Sequence, residues 1–286
     1  MEGKTIDPTE FREAQRNQWN NAATGWKKWV DEMTATTQPV SDRLVDLAGI
    51  GPGSRVLDVA AGYGEPALTA SRKAGPDGHV VATDISTEML AFGRERAAAA
   101  GAANLEFVES EASALDFPEG SFDATVSRWG IIFEPEAEAT AARIRRFLKP
   151  GGRMAIASWG TPPEAPMISL PMMAVLGYLQ QPPPPPGTPG PLSRPTPEAI
   201  SAILEGGGFS NVEVEEIQVE MDWNSAEEFT TFVQDIVAPL VALLEQHPPD
   251  VREAAWSAVT DAARQHADGE GRIILSNKAL LASGTA

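Results

Sequence analysis

The sequence predicts an α/β fold with a mostly parallel, seven-stranded sheet covered by helices on both faces. Three observations predict it. Short apolar runs rich in valine recur along the first half of the chain, helix-length alanine-bearing stretches separate them, and a glycine-bearing turn follows the first run. Parallel neighbours need a crossover between strands, and a helix packed back on the sheet supplies it with right-handed sense.

The elements follow in order. Pro8 to about Val30 reads as a helical arm carrying Trp19, Trp26 and Trp29, spaced to share one helical face. A short helix is expected over Ser41–Ala48 with Ser41 as its cap. Strands are then expected over Arg55–Ala60, His79–Thr83, Leu105–Val108, Phe122–Ser127 and Arg153–Ser158. Helices are expected over Glu65–Lys73, from the Ser86 cap to Ala100, and over Glu136–Leu148, the last closed by a turn at Lys149-Pro150-Gly151-Gly152. Beyond Trp159 the composition shifts, and Gln180–Pro197 contains five consecutive prolines, Pro182–Pro186. Proline lacks the amide donor a sheet requires, so this stretch reads as a loop or lid spacer. Pro197 opens a helix to Glu205 that Gly206-Gly207-Gly208 ends. A strand over Val212–Val219, two helices within Ser225–His266 joined around Pro248-Pro249, and a closing strand over Gly271–Ala282 complete the chain. The domain division expected is an arm over 1–50, a cofactor-binding core over 51–160, a proline-rich loop or lid over 161–197, and the rest of the sheet over 198–286 with a helical insertion at 225–268.

Composition narrows the function classes. The chain has 286 residues, 42% hydrophobic and 22% charged, enough for a large core. Its 22 basic and 40 acidic residues give a formal charge of −18. A surface so acidic repels phosphate backbones and anionic lipid, so neither nucleic acid nor membrane is expected as a partner. There is no cysteine, which removes disulfides, thiolate metal sites and cysteine nucleophiles and fits a cytoplasmic location. No metal is expected. Met1–Glu13 is polar, with no apolar stretch of the secretory kind, and no run is long enough to cross a membrane.

The turn Leu57-Asp58-Val59-Ala60-Ala61-Gly62-Tyr63-Gly64 is the feature with most chemical content. Glycines at a strand-to-helix turn let the backbone bend tightly and approach a ligand at the helix N-terminus. Asp84 ends the second strand, where a carboxylate can accept both hydroxyls of an adenosine ribose. By itself this turn suits a nicotinamide dinucleotide nearly as well, because Gly62-Tyr63-Gly64-Glu65-Pro66-Ala67 matches that pattern too.

Several further segments stand in order: Ala82-Thr83-Asp84-Ile85-Ser86, Ser110-Glu111-Ala112, Phe117-Pro118-Glu119-Gly120-Ser121-Phe122-Asp123 and Leu148-Lys149-Pro150-Gly151-Gly152-Arg153. Together with the turn they resemble the class I S-adenosylmethionine-dependent methyltransferases, in particular the bacterial branch related to the ubiquinone/menaquinone-biosynthesis methyltransferases. The resemblance implies a Rossmann-like fold, S-adenosylmethionine as cofactor and a small-molecule methyl acceptor. It also implies roles. Asp58 would orient the loop at the methionine amino end, while Ala60, Gly62 and Gly64 would let the backbone pass the cofactor. Asp84 and Ile85 would meet the ribose and its surroundings, Glu111 the adenine amino group, and Ala112 the ring. Ala60 stands where glycine is common, and Glu111 where aspartate is. Ser127, Arg128 and Trp129 follow the fourth strand, where sulfonium and acceptor meet in the family.

Methyl transfer rests on positioning, so no histidine base is required, and none of His79, His247 and His266 falls at the carboxyl end of a strand. Trp129, Arg128 and Tyr63 are the expected catalytic residues, and Trp19, Trp26 and Trp159 the expected acceptor pocket. Each tryptophan singly also suits plain core packing. Asp123 reads as a turn or capping residue, and Arg128 suits an ion pair equally well. Two other readings remain open at this point: a nicotinamide-dependent oxidoreductase, against which no Tyr-x-x-x-Lys pair is found, and a non-catalytic S-adenosylmethionine-binding protein. Monomer and homodimer are both open.

Overall fold

Strand periodicity explains the layering. Val56, Ala124, Val126, Ala155 and Ala157 enter one apolar cluster, whereas Leu57, Val59, Met154 and Ile156 enter another on the opposite face. Successive strand residues point to opposite faces, so a strand apolar at nearly every position must be buried on both. The computed structural model describes residues 8–185 and 187–286, so expectations for residues 1–7 and for the last proline of the run fall outside the described residues.

The sheet has seven strands: β1 (Arg55–Val59), β2 (His79–Asp84), β3 (Leu105–Glu109), β4 (Phe122–Arg128), β5 (Leu148–Trp159), β6 (Ser210–Trp223) and β7 (Ile273–Thr285). Their order is β3-β2-β1-β4-β5-β7-β6. The first five are parallel, and β7 runs antiparallel between β5 and β6. Among the described residues ten α-helices surround the sheet: α1 (Pro8–Lys28), α2 (Val30–Leu47), α3 (Ala67–Ala74), α4 (Thr87–Ala99), α5 (Ala137–Phe147), α6 (Pro166–Tyr178), α7 (Pro197–Gly206), α8 (Ala226–Ile236), α9 (Ala238–Glu245) and α10 (Pro249–Arg264). The order reverses between β1 and β4, and at such a reversal the crossovers leave on opposite faces and open a crevice at the strands' carboxyl ends.

The expected order of elements is present, and Ser86 caps α4 by accepting the Met89 amide at 3.1 Å. Four local expectations are corrected. Ser41 is not a cap: α2 runs unbroken from Val30, because Met33, Thr37, Val40, Ser41, Leu44 and Val45 form one buried helical stripe that outweighs the amide lost at Pro39. Lys149–Gly152 is not a turn before β5 but an irregularity within it. Leu148 already pairs with Phe122, and the register shifts before Arg153 pairs with Ala124. Thr161–Tyr178, expected as part of the proline-rich loop or lid over 161–197, holds α6. The insertion between β6 and β7 contains three helices, since the chain breaks at Val237 as well as at Pro248.

The arm α1 lies against α4, α8 and α9 and covers the carboxyl end of the sheet. Its closest backbone approach is at Gly25, where an added Cβ would stand 1.9 Å from the Asp235 carbonyl oxygen of α8. Gly25→Ala is therefore expected to lower stability by about 1–3 kcal/mol and to loosen the arm. Urea denaturation with hydrogen exchange over residues 8–28 measures both; an unchanged midpoint and unchanged protection would show that α1 does not depend on this contact.

Candidate active site

The crevice at the reversal is a real cavity. It leaves about 940 Å³ unfilled by protein, part of it open to solvent. Ala60, Ala61, Gly62 and Tyr63 from the loop after β1 form its floor. Asp84, Ile85, Ser110 and Ala112 from the ends of β2 and β3 form one side, and Arg128, Trp129 and Gly130 from the end of β4 the other. Gln15, Trp19 and Trp26 of α1 close the top.

The backbone takes the same unusual step at the two central strands. Ala60 and Trp129, each the first residue beyond its strand, have φ of +57° and +56°. The left-handed region costs a residue with a side chain roughly 1–2 kcal/mol, so packing must hold both there. Gly130 permits it: a Cβ there would lie 2.4 Å from the Ala60 Cβ and 2.9 Å from the Ser127 hydroxyl oxygen. Trp129 is held further by stacking on Trp159 at 4.3 Å and 6°. Its indole N–H is buried without a hydrogen-bond partner.

Asp84 is the best-organised acid of the cavity. The Gly62 and Ser86 amides donate to its two oxygens, each at 2.8 Å, which ties the glycine loop to the end of β2. A carboxylate accepts about four hydrogen bonds, so capacity remains on the cavity side. Burial pushes its pKa up to about 6, against the pull of the Ser86, Gly62 and Ile85 amides. Gly62 at φ +54° has nothing within 4 Å of where a Cβ would sit, so its backbone faces open space.

Beneath the floor lies a buried polar network. The Arg128 guanidinium donates to Thr37 Oγ1 and Ser41 Oγ of α2, both at 2.8 Å, and to the Tyr63 hydroxyl at 2.6 Å. The Tyr63 ring also stacks on Trp26 at 5.6 Å. Asp58 is fully buried, and neither of its oxygens has a partner in full hydrogen-bond geometry. Burial holds its pKa well above the ordinary carboxylate range, opposed chiefly by the Arg128 charge and then by the Ala67 amide. Among the described residues Arg128 forms no ion pair within 4 Å, so the ion-pair reading of this residue gives way to a hydrogen-bonded one.

The sequence-chosen residues divide as follows. Ala60, Gly62, Tyr63, Asp84, Ile85, Ala112, Arg128, Trp129, Trp19 and Trp26 line the cavity. Five do not. Asp58 lies below the floor. Gly64, at φ +98°, packs toward Gly93 and Phe107. Ser127 is buried and accepts the Ile131 amide at 3.0 Å. Trp159 stands behind Trp129. Glu111 turns outward to Arg16 at 2.9 Å. Trp29, on the same predicted stripe as Trp19 and Trp26, instead donates to Asp235 at 2.8 Å and meets Phe232. Sequence reasoning missed Gln15, Met33, Glu65, Met89 and Phe133 as lining residues. Gln15 was detectable, since it stands one helical turn before Trp19; the others carry no local signal. Among the described residues no three His, Cys, Asp or Glu side chains could hold a metal ion.

Residues 56–152 match the methyltransferase domain family. The ubiquinone/menaquinone biosynthesis C-methyltransferase UbiE of Pseudomonas putida is 40% identical over 119 residues, 41% of this chain and 46% of that protein. An uncharacterised protein of Mycobacterium tuberculosis is 40% identical over 121 residues, 42% of this chain and 43% of its own length. The matches thus span less than half of these relatives. Among solved structures, the YcgJ protein of Bacillus subtilis superposes with a TM-score of 0.55 at 18% identity, covering 86% of this chain and 97% of that one. The [4+2]-cyclase SpnF superposes with a TM-score of 0.53 at 21% identity, covering 86% and 80%. The matched segment runs from β1 into β5, and β6, β7 and the outer helices complete its sheet and cover.

The Asp84 shift sets a pH dependence. The folded carboxyl holds its proton more tightly than the unfolded one, so its ionisation costs stability at neutral pH and that cost disappears as pH falls from about 6 toward 4. Relative to Asp84→Asn, the parent should gain about 2 kcal/mol between pH 7 and pH 4. Paired chemical denaturation at the two pH values checks this; a pH-independent difference would mean that Asp84 ionises normally.

Proposed function

We propose that this protein binds S-adenosylmethionine in the crevice and transfers its methyl group to a small-molecule acceptor held under the arm. The observation that carries the reading is Asp84, a buried carboxylate that faces the cavity and is fixed by the glycine loop. The SpnF structure shows that this fold also serves a protein described as a cyclase, so the reading leans on the matched domain and on the site rather than on the fold.

The residues present fit the cofactor. Asp84 has acceptor capacity for ribose hydroxyls, the Gly62 backbone is open to the cavity, and Ile85 and Ala112 offer apolar surface for a flat ring. When bound, S-adenosylmethionine supplies a methyl group on a sulfonium, whose carbon–sulfur bond breaks as an acceptor lone pair takes the methyl. The chain's own task is to align and to dry. Trp19, Trp26, Trp129 and Phe133 wall the acceptor side with aromatic surface, which holds a flat or cationic partner and excludes water. The Tyr63 hydroxyl accepts from Arg128 beneath the floor, which fixes the ring that lines the cavity. Preorganised alignment of this kind is worth roughly 7–11 kcal/mol. The acceptor class best matched is a small aromatic or amine nucleophile, and the C-methyltransferase name of the matched Pseudomonas protein favours an aromatic carbon or its neighbouring oxygen.

Two outcomes are expected. By titration calorimetry S-adenosylmethionine or its demethylated product binds with micromolar affinity, about −8 kcal/mol. Asp84→Ala abolishes that binding, whereas tighter binding of a nicotinamide dinucleotide would end the proposal. In a turnover screen over amines, phenols, thiols and quinols, Trp129→Ala should cut the rate on any accepted compound by roughly 100-fold. Its affinity for the demethylated cofactor should stay near that of the parent; a loss of both together would place Trp129 on the cofactor side.

A further inference from the structure

Helix α6 turns no charged residue to solvent. Met167, Pro171 and Val175 are buried, and the helix packs on α10 and β7. Met173, Gly177 and Tyr178 form a second stripe that faces out, with Met173 51% and Tyr178 43% exposed. A surface helix ordinarily turns charged residues outward, as α10 does beside it with exposed Glu253, Asp261 and Arg264. The outward stripe of α6 leads directly into Gln180, Gln181 and Pro182–Pro185, all of them exposed.

The absence of charge extends beyond the helix. Residues 165–193 hold no charged side chain, in a chain that is 22% charged with a formal charge of −18. The charges that flank this segment are neutralised, Glu164 by Lys278 at 2.7 Å and Arg194 by Glu138 at 2.9 Å. Two copies of so acidic a chain repel wherever their acids come within a Debye length, about 8 Å at physiological salt, and this face lets them meet without that cost. It also carries both halves of one contact: an exposed aromatic ring, Tyr178, and an exposed proline run of the kind on which such rings dock. With no basic residue to meet headgroups, the segment does not suit a membrane. A proline-binding module would cover the run but leave the α6 stripe bare.

We propose that this face joins two copies of the chain in a homodimer. The two α6 helices meet about a twofold axis, which places Tyr178 of each copy against the proline run of the other and covers Met173. A twofold contact brings one patch onto itself, so the patch must suit itself, and an uncharged one holding both ring and prolines does. No residue of 165–193 lines the crevice, so dimerisation leaves its walls unchanged.

Sedimentation velocity on the full chain, from low to high micromolar concentration, tests this. The sedimentation coefficient should rise from the monomer toward the dimer value. Added salt should tighten the association severalfold by screening the acids, whereas an interface of ion pairs would loosen. Tyr178→Glu and Met173→Glu each set two like charges at the twofold contact and should weaken the dimer by about tenfold or more. Ile274→Glu, at an exposed residue on the face of β7 away from α6, should leave the dimer unchanged. Thermal unfolding checks that each variant keeps the parental fold, and the salt response needs no variant. A dimer that salt loosens, one that both substitutions on α6 leave intact, or one that Ile274→Glu weakens equally overturns the proposal. A chain that stays monomeric at every concentration also overturns it, and leaves the proline run to another protein's proline-binding module.

Discussion

The buried guanidinium of Arg128 is the constraint from which the site is built. It emerges at the end of β4 on the face covered by α2, and three hydroxyl groups from α2 and the glycine loop converge on it. A buried cation without hydrogen bonds would cost several kcal/mol, so these contacts are obligatory for the fold as well as useful to the site. They fix the first half of the chain against the sheet, set the Tyr63 ring, and place positive charge beside the unpartnered Asp58. Removing any one of the three oxygens leaves part of that charge unsatisfied. The cavity floor is therefore a consequence of electrostatic satisfaction rather than of loop sequence alone.

The strands and most helices were legible because their signals are local. Valine-rich runs of five or six residues, a Ser86 cap and the helix start at Pro197 each fix an element from within a few residues. What the sequence concealed is tertiary. Ser41 has the composition of a cap, but its hydroxyl is needed by Arg128 87 residues away, and the helix continues through Pro39 to deliver it. The third helix of the insertion begins at Ala238 after a break at Val237 that Pro239, at the second helical position, marks locally, although only two helices were expected there.

The site shows the same division. The glycine loop and Asp84 are recognisable from spacing, and they do meet through the Gly62 amide. Trp129 and Trp159 are both expected at the mouth, yet one lines the cavity and the other supports it from behind, a difference set by the left-handed step at Trp129. Glu111 turns outward to Arg16, a contact that nothing within twenty residues of it encodes.

The arm has two halves of different character. From Ala22 onward it is anchored by buried alanines, by the close backbone approach at Gly25 and by the Trp29 bond to Asp235. Before that point its ties to the site are mostly polar: Gln15 to the Phe133 carbonyl, Arg16 to the Ile85 carbonyl and Glu111, and Asn20 to the Ser86 hydroxyl. Water can replace each of these for about 1 kcal/mol, whereas the anchored half would have to expose apolar surface. The front of the cover thus frays at far lower cost than its root. Traffic into and out of the crevice needs only the first turns of one helix to peel back, while the sheet, the floor and the hinge end stay in place.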